Sequence, residues 1–275
     1  MHYAKPADAA TVILLRDCPD ADLRDIEVLL VLRNRQSSFV PGYYVFPGGS
    51  LDPEDYEQGM ERFITGINRA EAAGMLSDMS QPEKALGAWI AGIRETFEEV
   101  GLLIACRQDG TPVTFLAAAE QKRFEQYRKA LMDGQMTFAR ILEAENLTLP
   151  GCNLHYFSHW ITPELFPLRY DVRFFLAAVP EGQSVVCDGV ELTNFAWLTP
   201  SAALKAYASG SIEMVLPQIM TLEDLSRFRT VDEAIASTHA RQVPAVLTRI
   251  RQIDGKDVEV MPDGAVFEIR PPVYP

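Results

Sequence analysis

The segment Arg94-Glu95-Thr96-Phe97-Glu98-Glu99-Val100-Gly101 constrains this chain more than any other. Ala85, Ala88 and Ala91 lead into it at helical spacing, and Gly101 suits the C-cap of a helix that ends at Val100. Positions three and four apart share a helix face, so Glu95, Glu98 and Glu99 project from one side, with Arg94 one turn before Glu98. Like charges at that spacing repel, and a solvated helix gains nothing from them. A divalent cation bound by carboxylate oxygens reverses the sign of that local energy. The cluster makes sense if a metal sits on it; the alternative is a structural acidic helix with no metal.

Around that helix, short apolar β-branched runs predict strands at Thr11–Leu15, Ile26–Leu32 and Tyr44–Phe46, the last stopped by Pro47-Gly48-Gly49. Spacing near 3.6 residues predicts a helix from Pro53 to about Leu76, through Tyr56, Met60, Phe63, Ile64 and Ile67. Ser80 as N-cap and Pro82 in the first turn start the acidic helix. Helices follow at Leu116–Met132 and Thr137–Glu145, strands at Tyr156–Ile161, Asp171–Val179 and Asn194–Leu198, then helices at Ser201–Ala208, Leu216–Phe228 and Val231–His239. Val243–Ile250, Val258–Met261 and Ala265–Ile269 read as closing strands, the last two forming a hairpin through Pro262-Asp263-Gly264. Strands and helices alternate without strict βαβ spacing, which predicts an α+β fold with a mixed sheet between helices.

At 275 residues and 48% hydrophobic, the chain can bury a full core as a single domain. A formal charge of -13 excludes a general polyanion-binding surface, so nucleic acid is not an expected partner. No apolar run is long enough to span a bilayer, and the N-terminus lacks a secretion pattern. Cys18, Cys106, Cys152 and Cys187 form no CxxC pair and read as reduced thiols, which points to the cytoplasm. The four histidines lack zinc-ligand spacing.

Gly48-Gly49 joined to Arg94-Glu95-x-x-Glu98-Glu99-x-Gly101-Leu102 closely resembles the Nudix hydrolase signature, with Thr96 in place of an aliphatic residue. Arg94 follows Gly48 at about three times the usual spacing. The segment from Asp52 to about Glu83 is therefore read as a helical insertion inside the motif, and either Glu54 or Glu83 stands for the motif's first glutamate. The long insertion and Arg169-Tyr170-Asp171-Val172-Arg173-Phe174-Phe175-Leu176 resemble the nudix-motif-19 subgroup, acyl-coenzyme A diphosphatases, over about residues 10 to 230. Leu29-Leu30-Val31-Leu32-Arg33 and Gly42-Tyr43-Tyr44-Val45-Phe46-Pro47-Gly48-Gly49 resemble a coenzyme A signature. Asn34 and Ser38 depart from it, at a Ser/Ala and an Arg position.

The resemblance implies a Nudix-type α/β/α sandwich over residues 1–275, with an insertion at about 52–83 and a C-terminal extension at about 229–275. It implies Mg²⁺ or Mn²⁺ on Glu95, Glu98 and Glu99, with Arg94 orienting a glutamate rather than touching metal. Gly48, Gly49 and Arg33 are expected at the substrate. Glu191, six residues before Trp197, is either a loop ligand or base, or a solvated carboxylate. Glu95, Glu98 and Glu191 are thus the candidate general bases. Arg169, Asp171 and Arg173 share a strand face, either as a solvent-facing ion-pair ladder or as two arginines gripping diphosphate.

The expected reaction is hydrolysis of a diphosphate linkage in a nucleotide-type small molecule, foremost coenzyme A or acyl-coenzyme A. Nucleotide sugars, ADP-ribose, dinucleotides and RNA 5′ ends are the alternatives, and a non-catalytic binding module is the alternative of another class. The insertion is expected to cover the pocket, or else to form a homodimer interface.

Overall fold

The computed structural model describes residues 4–20, 24–37, 39–79, 81–239 and 241–269. In chain order the first half holds strands β1 (Ala7–Asp17), β2 (Ile26–Arg33), β3 (Tyr44–Val45) and β4 (Gly48–Ser50), helix α1 (Pro53–Tyr56), β5 (Ile64–Thr65), α2 (Arg69–Met75), α3 (Pro82–Val100) and β6 (Cys106–Arg107). Then come α4 (Ala118–Met132), α5 (Phe138–Glu145), β7 (Leu147–Pro150), β8 (His155–Ile161), β9 (Tyr170–Ala178) and β10 (Leu192–Leu198). The remainder is α6 (Pro200–Ala208), α7 (Leu216–Leu225), α8 (Val231–Ala236), β11 (Ala245–Leu247), β12 (Arg249–Ile253), β13 (Lys256–Val260) and β14 (Val266–Glu268).

The main sheet runs β10-β2-β1-β9-β8-β11, with β3 on β2 and β4 on β1. β1 pairs parallel with β9 and antiparallel with β2, so the sheet is mixed, as the element pattern predicts. Its strands are apolar in unbroken runs because both faces are covered. Ala10, Val12 and Leu14 of β1 and Phe175 of β9 pack with Trp89, Ile93 and Phe97 of α3. Ile13, Leu15, Phe174 and Leu176 pack instead with Leu216, Leu222 and Leu225 of α7 and with Ala234 of α8. Each such large side chain contributes about 1.5–3 kcal/mol by burial. Three layers result, an α/β/α sandwich.

Helix α3 occupies its expected span. Pro82 stands in the first turn, and Gly101 takes the left-handed conformation (φ 73°) that closes the helix through its N–H to Phe97 O at 3.0 Å. Gln81 holds the N-cap position; Ser80, expected there, lies outside the described residues, as does Ser38. Arg128 of α4 supports the same end, donating from Nε to Glu98 O at 2.8 Å and from Nη2 to Glu99 O at 2.9 Å.

The inserted segment departs from the helix expected over Pro53–Leu76. It is broken into α1, a 3₁₀ turn at Met60–Arg62, β5 and α2. Gly59 (φ 105°) and Gly66 (φ 76°) interrupt it, and β5 pairs with β7. Met60, Phe63, Ile64 and Leu76, spaced as for one helix, reach the core on the α3 side from separate elements. In the C-terminal region the expected strand Val243–Ile250 divides at Thr248: β11 joins the main sheet beside β8, while β12 begins a separate sheet with β13 and β14. No helix among the described residues is long and apolar enough to cross a membrane.

Candidate active site

Two glycines let the acidic helix reach the sheet. A Cβ on Gly48 (φ 155°) would lie 2.4 Å from Ala10 O, and one on Gly49 would lie 2.6 Å from the carboxyl carbon of Glu95. Strand β4 is thus wedged between β1 and α3, and only glycine fits there. Gly48 N–H donates to Glu99 Oε2 at 2.8 Å, fixing the first of the three carboxylates.

Arg94 fixes the other two. Its Nη1 donates to Glu95 Oε1 at 2.8 Å and to Glu98 Oε1 at 3.1 Å. Its Nε and Nη2 donate to Asp55 Oδ1 and Oδ2 at 2.8 and 2.9 Å, and Nη2 also reaches Ser50 O at 3.0 Å. Asp55 is the partner that the sequence reading missed. Glu54 and Glu83, the two candidates for that place, are both exposed. A local clue existed: Pro53 and the Asp52/Asp55 pair mark a helix start just after Gly48-Gly49, and Asp52 N–H donates to Asp55 Oδ2 at 2.8 Å.

The charge balance here is acidic. Burial pushes the Glu95 carboxyl up to about 7 although Arg94 pulls it down, and Glu98 moves up for the same reason. Burial also drives Glu99 well above the usual range, with the charge of Glu95 adding to it and the Gly48 amide opposing. Burial alone would lower Arg94; its ion pairs with Asp55, Glu95 and Glu98 outweigh that, and it stays protonated. The Arg94 guanidinium thus faces four carboxyl groups, Asp52 at 3.5 Å, Asp55, Glu95 and Glu98, while Glu99 rests on the Gly48 amide. Hard oxygen donors at this density, unbalanced by protein cations, fit a divalent ion such as Mg²⁺ or Mn²⁺.

Glu95, Glu99, Gly48 and Gly49 line a cavity of about 320 Å³ on the α7 side of the sheet, together with Arg33 and Glu191. Arg33 Nη2 and Glu191 Oε1 are 2.5 Å apart, so the loop carboxylate is tethered at the cavity while remaining exposed to solvent. Apolar wall comes from Phe39, Val45, Phe46, Ile161, Val172 and Val215. Trp160 joins this wall while also packing into the core. Glu98 stays off the cavity wall, on Arg94. None of the described residues 51–83 lines it, so the insertion does not cover the cavity.

Arg169 and Arg173 correct the expectation of a diphosphate grip, because neither lines the cavity. Arg169 donates to Thr162 O at 3.0 Å and to Ala4 O at 2.7 Å. Arg173, only 1% exposed, bonds Asp78 Oδ2 at 2.6 Å, Asp8 Oδ1 at 3.3 Å and Asp171 Oδ1 at 3.0 Å. The face is not a solvent-facing ladder either: Arg173 ties the insertion, through Asp78, to β1 and β9. Asp78, His159 and Asp171 also bring three donor atoms within 4.8 Å of one another, but the Arg173 guanidinium already bonds both of these aspartates. Glu95, Glu98 and Glu99 form no such tight trio, since Arg94 and the Gly48 amide hold them in separate hydrogen bonds.

A model of the NUDT19 Nudix domain matches residues 7–227. The chain is 27% identical over 236 residues to the acyl-coenzyme A diphosphatase NUDT19 of Xenopus laevis, covering 76% of this chain and 62% of that protein. It is 26% identical over 232 residues to the acyl-coenzyme A diphosphatase NUDT19 of Homo sapiens, covering 75% of this chain and again 62% of the relative. The match thus spans less than two thirds of the length of these relatives. Among solved structures, a NUDIX hydrolase from Alicyclobacillus acidocaldarius superposes with a TM-score of 0.67 at 28% identity, over 85% of this chain and 96% of that one.

Proposed function

This chain belongs to the Nudix hydrolases of the NUDT19 type, and from that premise we propose that it hydrolyses the diphosphate linkage of coenzyme A or an acyl-coenzyme A. The observation that carries the proposal is the buried acidic face of α3, brought through Gly48-Gly49 to the wall of a cavity. The names of the relatives support the coenzyme A class. Four free thiols fit a reducing compartment, and we place the protein in the cytoplasm.

Glu95, Glu98 and Glu99 would hold Mg²⁺ or Mn²⁺, which when bound withdraws charge from the phosphate oxygens and lowers the pKa of an attacking water. Arg94 is a positioning residue: its Nη1 presents Glu95 and Glu98 in fixed rotamers, and Asp55 fixes Arg94 in turn. Gly48 and Gly49 keep the wall low enough for a phosphate to approach. Arg33 supplies the positive charge at the cavity and orients Glu191. Glu191 accepts the proton of the attacking water, because its carboxylate lines the cavity without being engaged by Arg94.

Incubation with Mg²⁺ and a panel of coenzyme A esters, nucleotide sugars, ADP-ribose, dinucleotides and capped RNA tests this, with products weighed by mass spectrometry. Adenosine 3′,5′-bisphosphate and a 4′-phosphopantetheine are the expected pair. Turnover of another class with coenzyme A untouched reassigns the substrate, and no turnover at all makes the chain a binding module.

A further inference from the structure

The region after the family match contributes to the same cavity. Thr248, between β11 and β12, and Glu259 of β13 both line it, as does Gln218 of α7. Glu259 is 8% exposed, and its recorded partner is the Thr248 hydroxyl, which donates to Glu259 Oε1. Among the described residues no cation pairs with it, and burial pushes its carboxyl up from the ordinary value. A buried carboxyl with a purely structural role normally has a cationic partner or several donors. Gln218, 6% exposed, leaves its Oε1 without a donor among the described residues. Two buried acceptors thus stand among apolar neighbours such as Ile161, Val172 and Val215. The unpaired Gln218 oxygen costs stability until a donor reaches it.

We propose that Glu259, Thr248 and Gln218 form a hydrogen-bonding subsite that receives an N–H-bearing group of the substrate. The proposal rests on the diphosphatase reading of this cavity. A phosphate oxygen, itself an acceptor, does not meet the need of the unpaired Gln218 Oε1, whereas an N–H does. In a coenzyme A molecule the N–H donors are the amides of the pantetheine arm and the amino group of the purine. The subsite therefore reads one of the two arms flanking the diphosphate, and Glu259 is a specificity residue supplied by the C-terminal extension.

Calorimetric titration of wild type, Glu259→Leu, Glu259→Gln and Gln218→Leu with the two hydrolysis fragments separates the sources without turnover. Loss of the acceptor in Glu259→Leu or Gln218→Leu is expected to weaken one fragment roughly tenfold. Glu259→Gln, which keeps an acceptor, holds it within about threefold. Weakening of 4′-phosphopantetheine assigns the amides; weakening of adenosine 3′,5′-bisphosphate assigns the purine. Unchanged binding of both fragments overturns the subsite. Thermal melts are the second readout: Glu259→Leu is expected to melt no lower than wild type, because it removes an unbalanced buried carboxyl. A clear drop in its melting temperature makes Glu259 structural and likewise overturns the proposal. Coenzyme A hydrolysis by the wild type, measured in parallel, stands or falls separately.

Discussion

Asp55 grips Arg94 through two parallel charge-assisted hydrogen bonds across 39 residues of sequence, from a one-turn helix in the inserted segment to the middle of the acidic helix. Both groups are almost fully buried. The pair sets the plane of the guanidinium, and the remaining Nη1 therefore points its donors at Glu95 and Glu98.

Asp55→Ala is expected to destabilise the fold by about 3–5 kcal/mol, since it strands a buried guanidinium. At a temperature where the variant is still folded, metal affinity or turnover should also fall by about 10–100-fold. Denaturant melts and a Mg²⁺ titration of the rate check both. A variant with wild-type metal dependence would show that Arg94 positions nothing.

If Glu95 holds the metal as proposed, it also couples metal binding to pH. Its folded value, raised to about 7 from the model-compound 4.5, means that the native state binds more protons than the unfolded state between those limits. Stability in chelator is therefore expected to fall as pH rises through about 7, and to be recovered below 4.5, insofar as other carboxylates allow. Stabilisation by Mg²⁺ should grow across the same window, because binding expels protons. Melting temperatures with EDTA and with Mg²⁺ at pH 5.5 and 8 measure this, and Glu95→Gln should flatten the difference.

Arg173→Met tests the docking role of the charge network. The expected result is a loss of about 3 kcal/mol of stability with KM for the diphosphate substrate unchanged. A raised KM in a variant that melts normally would return Arg173 to the substrate.

Glu191→Gln is expected to lower kcat by about 10²–10⁴-fold while leaving the Mg²⁺ requirement in place. Rates at saturating Mg²⁺ decide this, and an unchanged kcat would return the base to Glu95 or Glu98.

The residues that could be read from sequence were those whose partners are local. The period of α3, its Gly101 cap and the common face of Glu95, Glu98 and Glu99 follow from spacing within a few turns. The contacts of Gly48 and Gly49 became clear only when β4 was seen against Ala10 and Glu95. Asp55 was hidden because its pairing is tertiary and the insertion pulls it far from Arg94. Period two places Arg173 and Asp171 on one strand face, but it does not say what covers that face; here an inserted segment carrying Asp78 does so. Gly59 and Gly66 were visible breakers, yet core positions spaced as in a helix masked them. Glu259 had no local pattern that marks a site, being one of two acids in β13, with Asp257, and meeting the cavity only through the packing of the C-terminal sheet.

The most direct test is turnover of coenzyme A with Mg²⁺ by wild type and Glu98→Gln, followed by product mass, with melting curves on both. The account predicts adenosine 3′,5′-bisphosphate and 4′-phosphopantetheine from the wild type. It predicts a loss of at least about 100-fold in the variant, which should still melt cooperatively. Full activity in a folded Glu98→Gln protein would contradict the metal site on α3.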